Sequence, residues 1–132
     1  MIRALDISTS ALVAQRARLD VIAGNIANAE VTRQADGTPT PYRRRCVTFT
    51  TGDGRGGPGV QVDRIYEDPS PFREKYDPGH PDADVRGYVQ LPNVSITMEY
   101  VDAMAASRAY EANAAMLTVT RNMVQQALRL LA

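Results

Sequence analysis

The sequence predicts a mainly α fold: long N- and C-terminal helices packing as a coiled-coil-like core, with a small β-hairpin-containing region between them. Three observations predict it. Leu5, Leu12, Leu19 and Ile26 recur at intervals of seven, as do Tyr110, Leu117, Val124 and Leu131 near the other end. Seven residues are two helical turns, so each set makes an apolar stripe along one side of a helix. Between them lie two short β-prone runs on either side of a glycine-dense stretch. The 132 residues amount to one domain's length of chain. They divide into an N-terminal assembly helix (1–30), a central β and loop region (31–94) and a long C-terminal assembly helix (95–132).

The first helix spans about residues 5–29, which are rich in Ala, Leu, Gln and Arg and contain no proline. These are good helix formers, with Asp6 or Ser8 as candidate caps. Ile22 joins the stripe one turn from Leu19 and Ile26, while Ser8 and Gln15 interrupt it, predicting a partly wet or multi-partner contact. Asn25 and Asn28 follow or flank Gly24 and weaken the helix end. Asparagine amides compete for backbone groups, so the two are read either as bonding across a helix interface or as the cap of a fraying end.

Residues 30–41 read as a loop, with Asp36-Gly37 as its turn signal. Residues 42–51 and 60–66 are strand candidates that form a hairpin across Gly52–Gly59. The glycine stretch lacks the lysine and hydroxyl of a phosphate loop, and no helix follows it. Residues 67–84 hold Pro69, Pro71, Pro78 and Pro81, with six acidic residues against Arg73 and Lys75, and read as an extended solvent-facing loop or hinge. Asp77, Asp82 and Asp84 miss the spacing of a calcium loop. Residues 85–91 form a short strand candidate, closed by Pro92-Asn93.

The last element, 95–131, has neither glycine nor proline and would reach about 55 Å as a helix. Its stripe runs through Tyr110, Asn113, Leu117, Thr120, Val124, Ala127 and Leu131, widened by Met116, Met123 and Leu130. Alanines make its first half slim enough for close helix approach. Asn113 and Thr120 within the stripe lower stability but can fix register between helices.

Composition narrows the function. Lys plus Arg equals Asp plus Glu at 15 each, with three of each sign in 1–30, nine in 31–94 and three in 95–132. No segment has the positive excess that phosphate-backbone binding requires. Arg43-Arg44-Arg45 is the one basic cluster, and nucleic acid is not an expected partner. Cys46 and His80 are single residues of their kind, which leaves no intrachain disulfide, no cysteine metal cluster and no histidine-based catalytic arrangement. Glu99 with Asp102, one turn apart, reads as a solvated pair. No catalytic residue, metal, cofactor or small-molecule substrate is expected. No run reaches the length of a membrane span, and Asp6, Ser8, Ser10 and Gln15 break up any secretory leader.

Several stretches together resemble the bacterial flagellar basal-body rod proteins, most closely the proximal rod type. They are Ala4-Leu5-Asp6-Ile7-Ser8, Gln15-Arg16, Val21-Ile22-Ala23-Gly24-Asn25-Ile26-Ala27-Asn28-Ala29 and Pro41-Tyr42-Arg43-Arg44. Near the other end come Gly87-Tyr88-Val89-Gln90-Leu91-Pro92-Asn93-Val94 and Ala106-Ser107-Arg108-Ala109-Tyr110-Glu111-Ala112-Asn113. The resemblance covers essentially the whole chain. It implies a structural subunit of the rod that transmits torque from the motor to the distal rod and hook. The implied partners are copies of itself, other rod proteins and the flagellar type III export apparatus. The implied location is the periplasmic rod of the basal body, reached without a cleaved signal peptide. It also carries Asn25, Asn28, Tyr110, Glu111 and Asn113 over as subunit-contact positions. Leu5, Leu12, Leu19, Ile22, Ile26, Met116, Leu117, Val124 and Leu131 would furnish the apolar part of those contacts. Competing readings are another rod or hook-proximal axial subunit, or a cytoplasmic coiled-coil adaptor or chaperone.

Overall fold

A computed structural model describes residues 2–52 and 54–132. Helix α1 spans Ile2–Ala27, strands β1 and β2 span Arg45–Thr51 and Val60–Glu67, β3 and β4 span Arg73–Tyr76 and Tyr88–Leu91, and helix α2 spans Ile96–Leu131. The chain is mainly α, with two two-stranded sheets between the helices.

Helix α1 starts earlier than the sequence predicts. Asp6 and Ser8 therefore lie inside it and do not cap it. The hydroxyls of Thr9 and Ser10 donate back to the carbonyls of Leu5 (2.8 Å) and Ile7 (2.7 Å), satisfying polar groups without breaking the helix. At the C-terminal end Asn28 donates both its backbone N–H (3.1 Å) and its side-chain amide (2.8 Å) to the Gly24 carbonyl. Asn28 is thus a local cap, the plainer of its two readings.

The 31–41 loop is held at its ends by Tyr42 N–H on the Val31 carbonyl at 3.0 Å. At its tip Asp36 Oδ1 accepts from Thr38 N–H (2.9 Å) and Thr38 Oγ1 (2.6 Å), the self-bonded turn that aspartate favours. Strands β1 and β2 pair as the expected hairpin, and Gly52 N–H bonds the Gly59 carbonyl at 2.8 Å to close the glycine loop.

Strand β3 departs from the predicted loop. Arg73, Glu74, Lys75 and Tyr76 pair antiparallel with Leu91, Gln90, Val89 and Tyr88. All four β3 residues are exposed, so no apolar alternation marked the strand. It forms because its backbone completes β4, whose Val89 is 2% exposed. Asp77 N–H bonds the Gly87 carbonyl, and Asp84 Oδ1 accepts from the N–H groups of Arg86 and Tyr88. Asp84 therefore builds the turn. Gly87 has φ 82°, and a Cβ there would lie 2.9 Å from the Tyr76 ring and 3.1 Å from Pro78 Cβ. That close approach allows the Tyr76 and Tyr88 rings to meet edge-on, 5.3 Å between centroids.

By packing, the chain forms two compact units. One comprises α1 up to Asp20, the hairpin segment Val47–Ile65 and Ala103–Ala132; the other comprises Val21–Cys46 and Tyr66–Asp102. They differ in kind. The second has a true if small core: Ile22, Ala29, Val89 and Val94 are buried, Val94 completely. Among the described residues of the first, the buried apolar ones are Ala14 and Ala106, and Thr120 is buried too. Every one of the largest fully buried side chains (Glu99, Val89, Val94, Asn25 and Pro92) belongs to the second unit. The helical unit keeps its larger apolar side chains partly or fully at the surface. Within it, the Ser10 hydroxyl accepts the Val60 N–H at 3.1 Å, fixing the hairpin to α1.

Candidate assembly surfaces

The second unit is organised by a buried polar node. Asn25 is 1% exposed. Its Nδ2 donates to the Arg45 carbonyl (2.8 Å) and to Glu99 Oε2 (3.1 Å); its Oδ1 accepts from Tyr42 Oη (3.0 Å) and Arg45 N–H (2.9 Å). An Asn amide offers two donors and one acceptor oxygen with two lone pairs, so its capacity is filled inside the chain. Glu99, also 1% exposed, takes Arg44 Nε on its other oxygen at 2.5 Å. Arg44 further reaches Asp68 at 3.4 Å and Asp102 at 3.5 Å. The Glu99 hydrogen bond pushes the Arg44 guanidinium above its ordinary pKa, against the opposing effect of burial. Burial likewise pushes the Tyr42 phenol up. Asn93 Oδ1 accepts the Arg44 N–H at 2.8 Å, completing a set that locks the start of β1 in place.

The node corrects two readings. Glu99 and Asp102 are not a solvated pair, since both face Arg44. The triple arginine is not one patch either. Arg44 points inward. Arg43 lies over the Phe72 ring at 4.3 Å and donates to the carbonyls of Asp68 (2.9 Å) and Ser70 (3.0 Å). Arg45 is exposed and sits 5.9 Å over Tyr42. Alternation along an extended chain sends neighbouring side chains to opposite faces. Arg44, Glu99, Tyr42 and Asn93 were missed as a group because their partners lie up to 74 residues apart, a separation no local pattern records.

The first unit carries the helical faces. In α2, Ala106, Ala109, Asn113, Leu117, Thr120, Val124 and Ala127 are buried or half-buried. At 100° per residue they occupy an arc of about 80°. Asn113 and Thr120 do not reach across it: Asn113 Nδ2 and Thr120 Oγ1 each donate at 2.8 Å to a carbonyl four residues back in α2. A second apolar line runs about 90° away: Ala105, Ala112, Met116, Val119, Met123 and Leu130 fall within about 60° of arc. These residues are exposed, Met116 at 57%, Val119 at 52%, Met123 at 54% and Leu130 at 88%. The methionines therefore mark a separate face and do not widen the inward stripe.

The remaining candidates sort as follows. Leu5, Leu12, Leu19, Ile26, Asn28, Leu117 and Val124 are half-buried, and Ile22 is buried. Tyr110, Glu111 and Leu131 are exposed. Asn25 is buried, its side chain being enclosed in the node. Asp77, Asp82 and Asp84 form no metal cluster, and no group of metal-ligating residues occurs among the described residues. Asp82 instead pairs with Arg33 and accepts from Thr32 at 2.9 Å; these contacts, the Arg33 bond foremost, hold its carboxyl below the ordinary value of 3.8. No described helix is long and apolar enough to cross a membrane.

Comparison with known proteins places these features. Residues 5–33 match the family described as flagella basal body rod protein, and residues 85–130 match the family described as flagellar basal body rod FlgEFG protein C-terminal. The flagellar basal-body rod protein FlgC of Bacillus subtilis (strain 168) is 42% identical, over 96% of this chain and 95% of its own. That of Yersinia enterocolitica is 42% identical over 98% and 97%, and that of Borreliella burgdorferi 40% over 96% and 95%. With relatives at this identity along nearly the whole of both chains, this protein belongs to the flagellar basal-body rod protein family, of the FlgC type, and is a structural subunit of the flagellar rod.

Proposed function

We propose that the chain is a torque-bearing subunit of the proximal rod, packing its terminal helices against copies of itself and other rod proteins. One observation carries this reading. The helical unit buries almost nothing larger than alanine on its own, yet α2 presents two apolar faces about 90° apart. One face serves the chain itself. The other, through Met116, Val119, Met123 and Leu130, is an apolar strip of the kind that marks protein contacts. Methionine suits such a contact because its flexible thioether packs against unlike neighbours. Long overlapping helices spread torque over many small contacts, and a heterologous contact repeated around an axis gives an open filament.

The same reading places the subunit in the periplasmic part of the basal body, delivered by the flagellar type III export apparatus. A helical unit with so thin a core, and a chain with one cysteine, suit passage in an unfolded state. The unfolded chain surrenders little core stability and has no intrachain disulfide to open.

The two α2 faces give a discriminating test. Met116→Glu with Met123→Glu charges the outward face and spares the inward one, so the purified variant keeps wild-type helicity. In cells lacking the native subunit it is exported but absent from purified basal bodies. Leu117→Asp, on the inward face, lowers monomer helicity as well. Normal rods and swimming with both glutamates in place would refute the proposed contact face.

A further inference from the structure

The second unit carries two concavities, each walled in part by the 31–41 loop. Val31 and Arg33 line one, Thr32 lines the other, and Pro41 lines both. Their charge is opposite. The first, about 330 Å³, is walled by Arg43, Arg45, Tyr42 and Phe72, with Glu67 as the acid on its wall. The second, about 210 Å³, is edged by Glu74, Asp82 and Asp84. Asp82 is neutralised by Arg33, which leaves Glu74 and Asp84 as its exposed acids.

The arginine hollow is ready-made for a carboxylate. Arg43 is held by two carbonyls and the Phe72 ring, and Arg45 lies over Tyr42. Tyr42 is itself pinned to Asn25. Among the described residues neither Arg43 nor Arg45 has a carboxylate partner, and Glu74 has no ion pair. Arg43 spends its Nη1 on the two carbonyls, and the remaining Nε–Nη2 edge of a guanidinium matches a carboxylate's two oxygens.

We propose that adjacent copies of this chain meet here, the arginine hollow of one receiving the Glu74–Asp84 edge of the next. The two surfaces are different sets of residues on one chain, so the contact is heterologous and each copy keeps one surface open for another. Opposed charge fixes which sides meet and disfavours the reversed pairing. The inference rests on the reading that copies assemble side by side in the rod, but it uses none of the helical residues that carry that reading.

The test is charge reversal in the full-length chain, expressed in cells lacking the native subunit. Arg45→Glu and Glu74→Arg are each expected to lower recovery in purified basal bodies on the order of tenfold, since like charges then face each other. The double variant R45E/E74R is expected to return to within about twofold of wild type. Circular dichroism of each monomer checks folding, and Arg45→Gln serves if Arg45→Glu fails that check, with a smaller loss expected. Wild-type recovery of the single variants, or a double variant no better than the weaker single, would overturn the inference while leaving the rod assignment standing. Absence of the wild-type chain from basal bodies would overturn the rod assignment, and this inference with it.

Discussion

Replacing Glu99 by Gln keeps the side chain's shape and removes its charge, which makes it a direct probe of the buried node. In the native chain Glu99 Oε1 takes Arg44 Nε at 2.5 Å and Oε2 takes Asn25 Nδ2 at 3.1 Å. A Gln amide can satisfy one of these donors and meets the other with its own N–H₂. Asn25 cannot flip to compensate, because its Oδ1 already holds Tyr42 and Arg45 N–H. Removing one partner of a buried pair costs about 3–5 kcal/mol. Arg44 retains Asp68 and Asp102 at longer range, and its side chain is 26% exposed, so the lower end applies: about 3 kcal/mol. Urea unfolding followed by circular dichroism measures the loss, and amide exchange at residues 42–46 locates it. Glu111→Gln, an exposed glutamate on the same helix, is the control and stays within about 0.5 kcal/mol. A Glu99→Gln chain as stable as that control would refute the claim that the node holds β1 in place.

Gly87→Ala forces a Cβ to 2.9 Å from the Tyr76 ring at φ 82°; it lowers stability by about 1–3 kcal/mol, read as a fall in unfolding temperature. Val94→Ala empties a site that is 0% exposed and costs about 2 kcal/mol in urea titration. Gln15 Oε1 is buried without a protein partner, so Gln15→Met raises stability by about 1 kcal/mol; a loss instead would show that this oxygen is well satisfied. Asp36, Asp68 and Asp82 all titrate below their unfolded value of 3.8 in the folded chain. Their stabilisation is therefore full above about pH 4 and disappears as pH falls through the folded values, and Asp82→Asn flattens that slope.

How much was legible follows from the range of each interaction. Both long helices, the hairpin and the glycine loop are local patterns: heptad spacing, a run without glycine or proline, and β-prone residues beside Gly52–Gly59. Strand β3 was not legible because Arg73–Tyr76 is exposed along its length and exists only by pairing with β4. Among the contact candidates, composition could not separate Leu117 from Met116. Both are apolar and adjacent, yet one is half-buried and the other 57% exposed. Asn25 had two readings, bonding across a helix interface or capping; its amide does bond from α1 to Glu99 of α2, but inside the chain, at the centre of a node that also draws in Tyr42 and Arg45.

The sequence by itself determined the helical ends, the hairpin and the membership of a rod-protein family, because helical periodicity and short motifs are written in consecutive residues. Tertiary structure alone decided which arginine of residues 43–45 turns inward, which face of α2 the chain keeps for itself, and that hollows of opposite charge adjoin the 31–41 loop. Those outcomes depend on groups brought together from distant parts of the chain, and burial, unlike periodicity, is a property of the folded whole.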